Sequence, residues 1–269
     1  MAARLKIVGL MRFSVLTPTY YAETFDTLDK AAAHLFSPER MTLRFRIFEA
    51  LVLPSLLAQT DADFEMVILT ADQLPEPWMT RLVELVGAVP NARLLPVGTD
   101  RHYQLLREGY LSVDTGDATH RVMFRLDDDD ALSLDYISRL RANARGLLRL
   151  QKPDVPQVLA FNRGVYVQFR DGADNDVFDA CERAPLSAGT ALLAPLDYPR
   201  NPYRYNHRQL AQYYPTYSDI SAPSFIRTVH GDNKSNPAQM GLTRQLRESG
   251  LERQLQRNFG VELADLREL

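Results

Sequence analysis

The sequence predicts an α/β protein: a mainly parallel central sheet flanked by helices, followed by a smaller antiparallel region. Three observations predict it. In the first half, short apolar runs (Phe64–Thr70, Arg93–Val97) alternate with stretches of helical period (Trp78–Val86, Tyr103–Val113). A further apolar run, Val122-Met123-Phe124, passes through Arg125 and Leu126 and stops at four aspartates, Asp127 to Asp130. The character then changes. Two β-rich runs, Val158–Asn162 and Val165–Phe169, flank Asn162-Arg163-Gly164, which has the composition of a hairpin turn.

Taken in order, Arg12–Thr19 reads as a first strand leaving into a Pro-containing turn. Thr27–Leu35 is helix-like, and Ser37-Pro38 breaks it. From Leu43 to Ala58, Phe45, Phe48, Val52 and Leu56 recur at helical spacing, with a kink or end expected at Pro54. Gln59–Asp63 is a polar turn before the second strand, Phe64–Thr70, and Asp72 follows closely. A helix opens after Pro77, where carrying no amide hydrogen costs least. The third strand, Arg93–Val97, and the helix Tyr103–Val113 lead to the acidic strand. Beyond it, Ser133 opens a helix to about Leu150. Ser187–Leu193 is a small-residue turn into a strand, and a tyrosine-rich segment runs from Tyr198 to Tyr217. The strand Ser224–Val229 enters His230-Gly231-Asp232-Asn233-Lys234. The tail, Leu242–Leu269, reads as short amphipathic helices with stops at Gly250 and Gly260.

Composition narrows the function classes. A chain of 269 residues with a 45% hydrophobic fraction can bury a full core as one large domain or two small ones. A net charge of -3 argues against a general nucleic-acid binder. Cys181 is the single cysteine, so there is no internal disulfide and no cysteine cluster for zinc. Met1–Leu10 has too short an apolar stretch for a signal peptide, and no run is long enough to span a bilayer. The expectation is a cytoplasmic protein, with peripheral membrane contact the one membrane role left open.

Four adjacent carboxylates repel one another, so they are expected neither inside a strand nor inside a core. A divalent cation would relieve that repulsion, because hard cations choose carboxylate oxygens. A solvated acidic loop is the competing reading. The strand directly in front of the aspartates favours a site, because it fixes where they point, and in open α/β sheets ligands gather beyond strand carboxyl ends. His230 and Lys234 could likewise serve a diphosphate, the first as a metal ligand and the second as a point cation, or be ordinary surface residues. The tyrosines could stack on sugars or pack at a wet surface, and Trp78 reads as core.

The order of these parts resembles the GT-A fold of nucleotide-sugar glycosyltransferases. The phrases LPSLLAQTDADFEMVIL, FRLDDDDAL and RTVHGDNKSN resemble the bacterial putative rhamnosyltransferase family in particular, and the resemblance runs from about Phe13 to Asn236. It implies a catalytic domain over residues 10–236, with a nucleotide-binding half to about 131 and an acceptor half after it, and a C-terminal helical extension over 237–269. It implies that Asp127 and Asp128 bind the donor, with Asp127 near the ribose. Asp129 and His230 would ligate a divalent metal, Mn or Mg, and Lys234 would meet the diphosphate. Thr17, Thr19, Thr70 and Asp72 would flank the base. Many such enzymes carry paired aspartates at the end of the second strand, where this chain has Thr70-Ala71-Asp72.

The implied activity is metal-dependent, inverting transfer of a sugar, rhamnose among the candidates, from a UDP- or dTDP-sugar to a glycan or small hydroxyl acceptor. Inverting attack needs a base across the cleft from the metal. Asp219 is the expected one, with Asp197 and Glu182 as rivals and a plain surface aspartate as the alternative. Two other functions stay open. One is a magnesium phosphohydrolase with an aspartate nucleophile, although such enzymes usually carry DxD after their first strand rather than their fourth. The other is a non-catalytic nucleotide-sugar or glycan-binding protein.

Overall fold

The structure is a computed structural model that describes residues 3–19, 22–231 and 241–269. The first strand, β1 (Leu5–Phe13), begins seven residues earlier than expected and buries Ile7–Met11. Gly9 lies inside this run. A side chain at Gly9 would overlap the Phe124 ring and the Met66 sulfur, so the glycine marks a close approach inside the sheet. The strand ends at Ser14, whose φ of 53° turns the chain away, and Ser14 to Thr19 become a loop.

Two helices follow, α1 (Leu28–Leu35) and α2 (Pro38–Ile47). Thr27 caps α1 by accepting from the Lys30 amide, and Pro38 opens α2 behind Ser37. The expected break at Pro54 is absorbed differently. A π-helical turn over Phe48–Val52 widens the backbone, and α3 (Leu53–Leu57) continues through the proline. Next come β2 (Glu65–Ala71), α4 (Trp78–Gly87), β3 (Ala92–Val97), α5 (His102–Leu111) and β4 (His120–Asp127). Trp78 stacks on Phe45 at 5.3 Å, a core contact as expected.

The second half holds β5 (Asp130–Leu132), α6 (Tyr136–Leu150), β6 (Gln157–Phe161), β7 (Arg163–Gln168), β8 (Asp176–Cys181) and β9 (Ala191–Pro195). A 3-10 turn over His207–Gln212 precedes β10 (Thr216–Asp219), β11 (Phe225–Val229), β12 (Leu242–Thr243), α7 (Glu248–Phe259) and α8 (Leu263–Glu268). The main sheet has seven strands in the order β10-β6-β9-β4-β1-β2-β3. All pairings among β1, β2, β3 and β4 are parallel, β9 runs antiparallel to both neighbours, and β10 runs parallel to β6. The second sheet, β12-β8-β7-β11-β5, is antiparallel except for β7 with β11. The mainly parallel sheet with a smaller second sheet is the predicted fold class.

The expected hairpin is not one. β6 belongs to the main sheet and β7 to the second, so Asn162 and its neighbours cross between sheets. Strands β8 and β10 were not read from sequence: Asp179 interrupts the apolar residues of β8, and β10 is four residues with one apolar side chain. Gly250 lies inside α7, whereas Gly260, with φ 68°, does end it. Leu251, Leu255, Phe259, Leu263 and Leu266 of the tail pack into the same core as β1, α2 and α6. Because Arg12 sits opposite Asp127 and Phe13 opposite Thr70, the carboxyl ends of β1, β2 and β4 form one edge.

Candidate active site

Asp128, Asp129 and Asp130 are buried and Asp127 is half-buried, contrary to expectation, and arginines make that possible. Asp127 ends β4, where Arg12 of the adjacent β1 donates to its Oδ1 at 2.6 Å. Burial alone would raise the Asp127 carboxyl, but the guanidinium groups of Arg12 and Arg125 hold it far below the usual carboxylate range. Both arginines lie over the ring of Tyr203, at 5.3 and 4.2 Å. Arg12 also reaches His102 Nε2 at 3.1 Å. Burial and the two arginines push His102 down to about 3, so it is neutral.

Asp128 and Asp129 form the turn after β4. Arg44, from the buried face of α2, places Nη1 2.9 Å from Asp128 Oδ1 and 2.7 Å from Asp129 Oδ2. His230 Nε2 lies 3.0 Å from the same Asp129 Oδ2, and Thr228 donates to the Asp129 carbonyl. Burial would raise Asp129, yet Arg44 and His230 bring it down to about 2. Asp128 stays raised, because burial and the Asp129 charge outweigh Arg44, and its Oδ2 has no hydrogen-bond partner. Asp130 opens β5 at 1% exposure, with neither carboxylate oxygen bonded. Burial and the Asp129 charge push it well above the usual range, despite Arg227 nearby. Repulsion among the aspartates is thus met by guanidinium groups from four elements rather than by solvent.

A family model described as putative rhamnosyl transferase matches residues 6–242. The chain belongs to that family. It is a glycosyltransferase family, which agrees with the resemblance in the sequence.

No curated protein matches this rhamnosyl transferase family member. Among solved structures, the S. aureus TarS 1-349 fragment is 12% identical, with 83% of this chain and 60% of that chain covered and a TM-score of 0.43. The same fragment in complex with UDP-GlcNAc is 11% identical, with 94% and 71% covered and a TM-score of 0.43. A putative glucose-1-phosphate thymidylyltransferase from Bacillus anthracis is 12% identical, with 82% and 88% covered and a TM-score of 0.35. The chain spans under two thirds of the first TarS fragment. At these scores none of the likenesses fixes a residue correspondence.

The chain brings most of the expected donor residues to one edge. Thr17 is buried in the loop after β1, and Thr19 accepts from the His102 amide at 2.9 Å. Thr70 lies at the end of β2 with its hydroxyl buried and unbonded. Asp72 is exposed just beyond, its amide donating to the Val97 carbonyl. Lys234 lies outside the described residues. Among the described residues no three His, Cys, Asp or Glu side chains surround one point as a metal cage. Asp129 and His230, in contact at 3.0 Å, are the two groups at this edge that would hold an ion taking its remaining ligands from phosphate and water.

Asp219 is not brought there. It ends the edge strand β10, three strands from β4, roughly 14 Å at ordinary strand spacing. Its Oδ2 accepts from Arg139 and Asn143, and its Oδ1 from the Ser221 amide and hydroxyl, which uses all four lone-pair positions of a carboxylate. Asp197 is exposed beyond β9, at the end of the sheet where His120 starts β4. Glu182 is buried and accepts from the Tyr166 hydroxyl at 2.5 Å, on the face of the second sheet that carries Arg227.

Sequence reasoning missed Arg12, Arg44, Arg125, Arg227 and His207. A charge within an apolar strand or helix face was the available signal, as in Phe225-Ile226-Arg227-Thr228-Val229, since a buried charge implies an opposite one. His207 gave no such signal. Its Nε2 is buried without a partner, and burial together with Arg125 and Arg227 pushes it to about 2.

Proposed function

We propose that this chain transfers a sugar, rhamnose fitting the family's description, from a nucleotide diphosphate donor to a hydroxyl acceptor with inversion. The observation that carries the reading is the contact of Asp129 with His230, 101 residues apart in sequence, at the carboxyl edge of a parallel sheet. Asp129 and His230 would hold a divalent ion, Mg or Mn, that shares Asp129 with Arg44. When bound, such an ion offsets charge building on the departing diphosphate. The chain's own groups do the rest. Asp127, kept ionised by Arg12 and Arg125, accepts from a ribose hydroxyl. Thr17, Thr19, Thr70 and Asp72 flank the base, and Lys234, four residues past His230, meets the diphosphate as a point charge.

The acceptor's proton needs a base near the attacked carbon. Of the three carboxylates considered, Glu182 alone shares a sheet face with Arg227 and Asp130, and the role is assigned to it. Incubating the chain and manganese with dTDP-rhamnose or UDP-glucose and a panel of hydroxyl acceptors tests this. Wild type should release nucleotide diphosphate and give a product of inverted anomeric configuration. Glu182→Gln should lower turnover at least about a hundredfold while bare diphosphate still binds. No turnover of either donor, or a retained configuration, would contradict the proposal.

A further inference from the structure

We propose that Asp130, backed by Arg227 and Tyr166, reads the hydroxyl groups of the transferred sugar, a proposal that rests on the glycosyl-transfer reading above. Asp130, Arg227, Tyr166 and Phe178 sit side by side across β5, β11, β7 and β8, so their side chains share one face of the second sheet. All four are buried. Tyr166 is fixed by a parallel stack on Phe178 at 5.7 Å and by its bond to Glu182. Asp130 is the anomaly in this row. A carboxylate at 1% exposure is ordinarily bonded on both oxygens, and here neither is. A buried acceptor left without donors is costly, so a structural role alone does not account for it.

Other buried polar atoms are unbonded too, and they belong to different chemical types. His207, which lies in the field of Arg227 and Asp127, has a buried Nε2 without a partner. Thr190, whose carbonyl accepts from the Arg125 amide, has a buried hydroxyl without one. Unsatisfied groups of both kinds suit a neutral ligand dense in hydroxyls, since each hydroxyl both gives and takes a hydrogen bond. A phosphate would need donors only. Position points the same way. Asp130 directly follows Asp129, which is assigned to the diphosphate end, and consecutive Cα atoms are about 3.8 Å apart. The sugar is bonded to the distal phosphate, so it lies where Asp130 and Arg227 can reach it. Glu182, bonded to the Tyr166 hydroxyl, stands beside this row, where an acceptor would arrive. A site built on such bonds rejects a sugar lacking the matching hydroxyl far more strongly than an apolar pocket could.

Calorimetry on the full chain with manganese tests this, using two probe pairs: dTDP with dTDP-rhamnose, and UDP with UDP-glucose. Asp130→Asn should weaken the sugar-bearing member of the bound pair by about tenfold, the scale of one hydrogen bond, and the bare diphosphate by less than about twofold. Its thermal midpoint should equal or exceed that of wild type, because a buried carboxyl without hydrogen-bond partners has been replaced. Equal weakening of both members, or of neither, overturns the proposal. So does a variant that unfolds, which would make Asp130 a structural partner of Arg227. If wild type binds neither bare diphosphate, the glycosyl-transfer reading itself falls and takes this inference with it.

Discussion

Asp219 shows how little a residue's type says about its work. In sequence it is an aspartate between a tyrosine-rich segment and a strand, a reasonable base. In the fold it ties α6 to β10 through Arg139 and Asn143 and closes a turn at Ser221. Burial alone would raise its carboxyl, but the bonds from Ser221 and Arg139 bring it down to about 2 from 3.8. A depressed carboxyl stabilises the fold fully above about pH 4, and that contribution is lost as pH falls through about 2. Asp219→Asn is therefore expected to cost on the order of 2 kcal/mol at pH 7, with the gap to wild type narrowing between pH 4 and pH 2. Urea unfolding across that range checks it. Unchanged stability with lost transfer would return Asp219 to the reaction. At this scale the aspartates Asp127 to Asp129 were legible, because charge at a strand end is visible in a sequence. Their arginines were not, because pairing across 84 residues, as from Arg44 to Asp128, is written only in the fold.

Elements were legible wherever apolar period and length agreed, as in β2, α4, α5 and β4. They failed where a local signal had a tertiary cause. The start of β1 was missed, and Gly9 inside it lets Phe124 and Met66 close over the strand. Gly9→Ala should destabilise the protein by about 2 kcal/mol, the ordinary cost of overpacking a filled core. A thermal melt equal to wild type would show that the neighbours can move aside. Asn162-Arg163-Gly164 has hairpin composition but serves a crossing between sheets. Gly164 is required there because a side chain would run into Phe225. Pro54 lies in a continuous helical path because the π-helical turn before it relieves the clash its ring would make.

At the scale of the molecule, two sheets meet where β4 hands the chain to β5. The main sheet contributes Asp127 at its carboxyl edge, and the second contributes Asp130, Arg227 and the strand that ends at His230. The alternation of strands and helices showed the first sheet in advance. The second was foreseen only as a smaller antiparallel region, and its strand pairings were not legible, because they link distant segments, as in β5 with β11. Among the described residues no helix is long and apolar enough to cross a membrane. The central claim is that Asp129 and His230 hold a cation for a nucleotide diphosphate. Calorimetric titration of dTDP and UDP into the chain, with and without manganese, tests it most directly. Affinity for one of the two should rise at least about tenfold with manganese in wild type, and Asp129→Asn should abolish that rise. Equal affinity with and without the ion, in wild type and variant alike, would contradict the account.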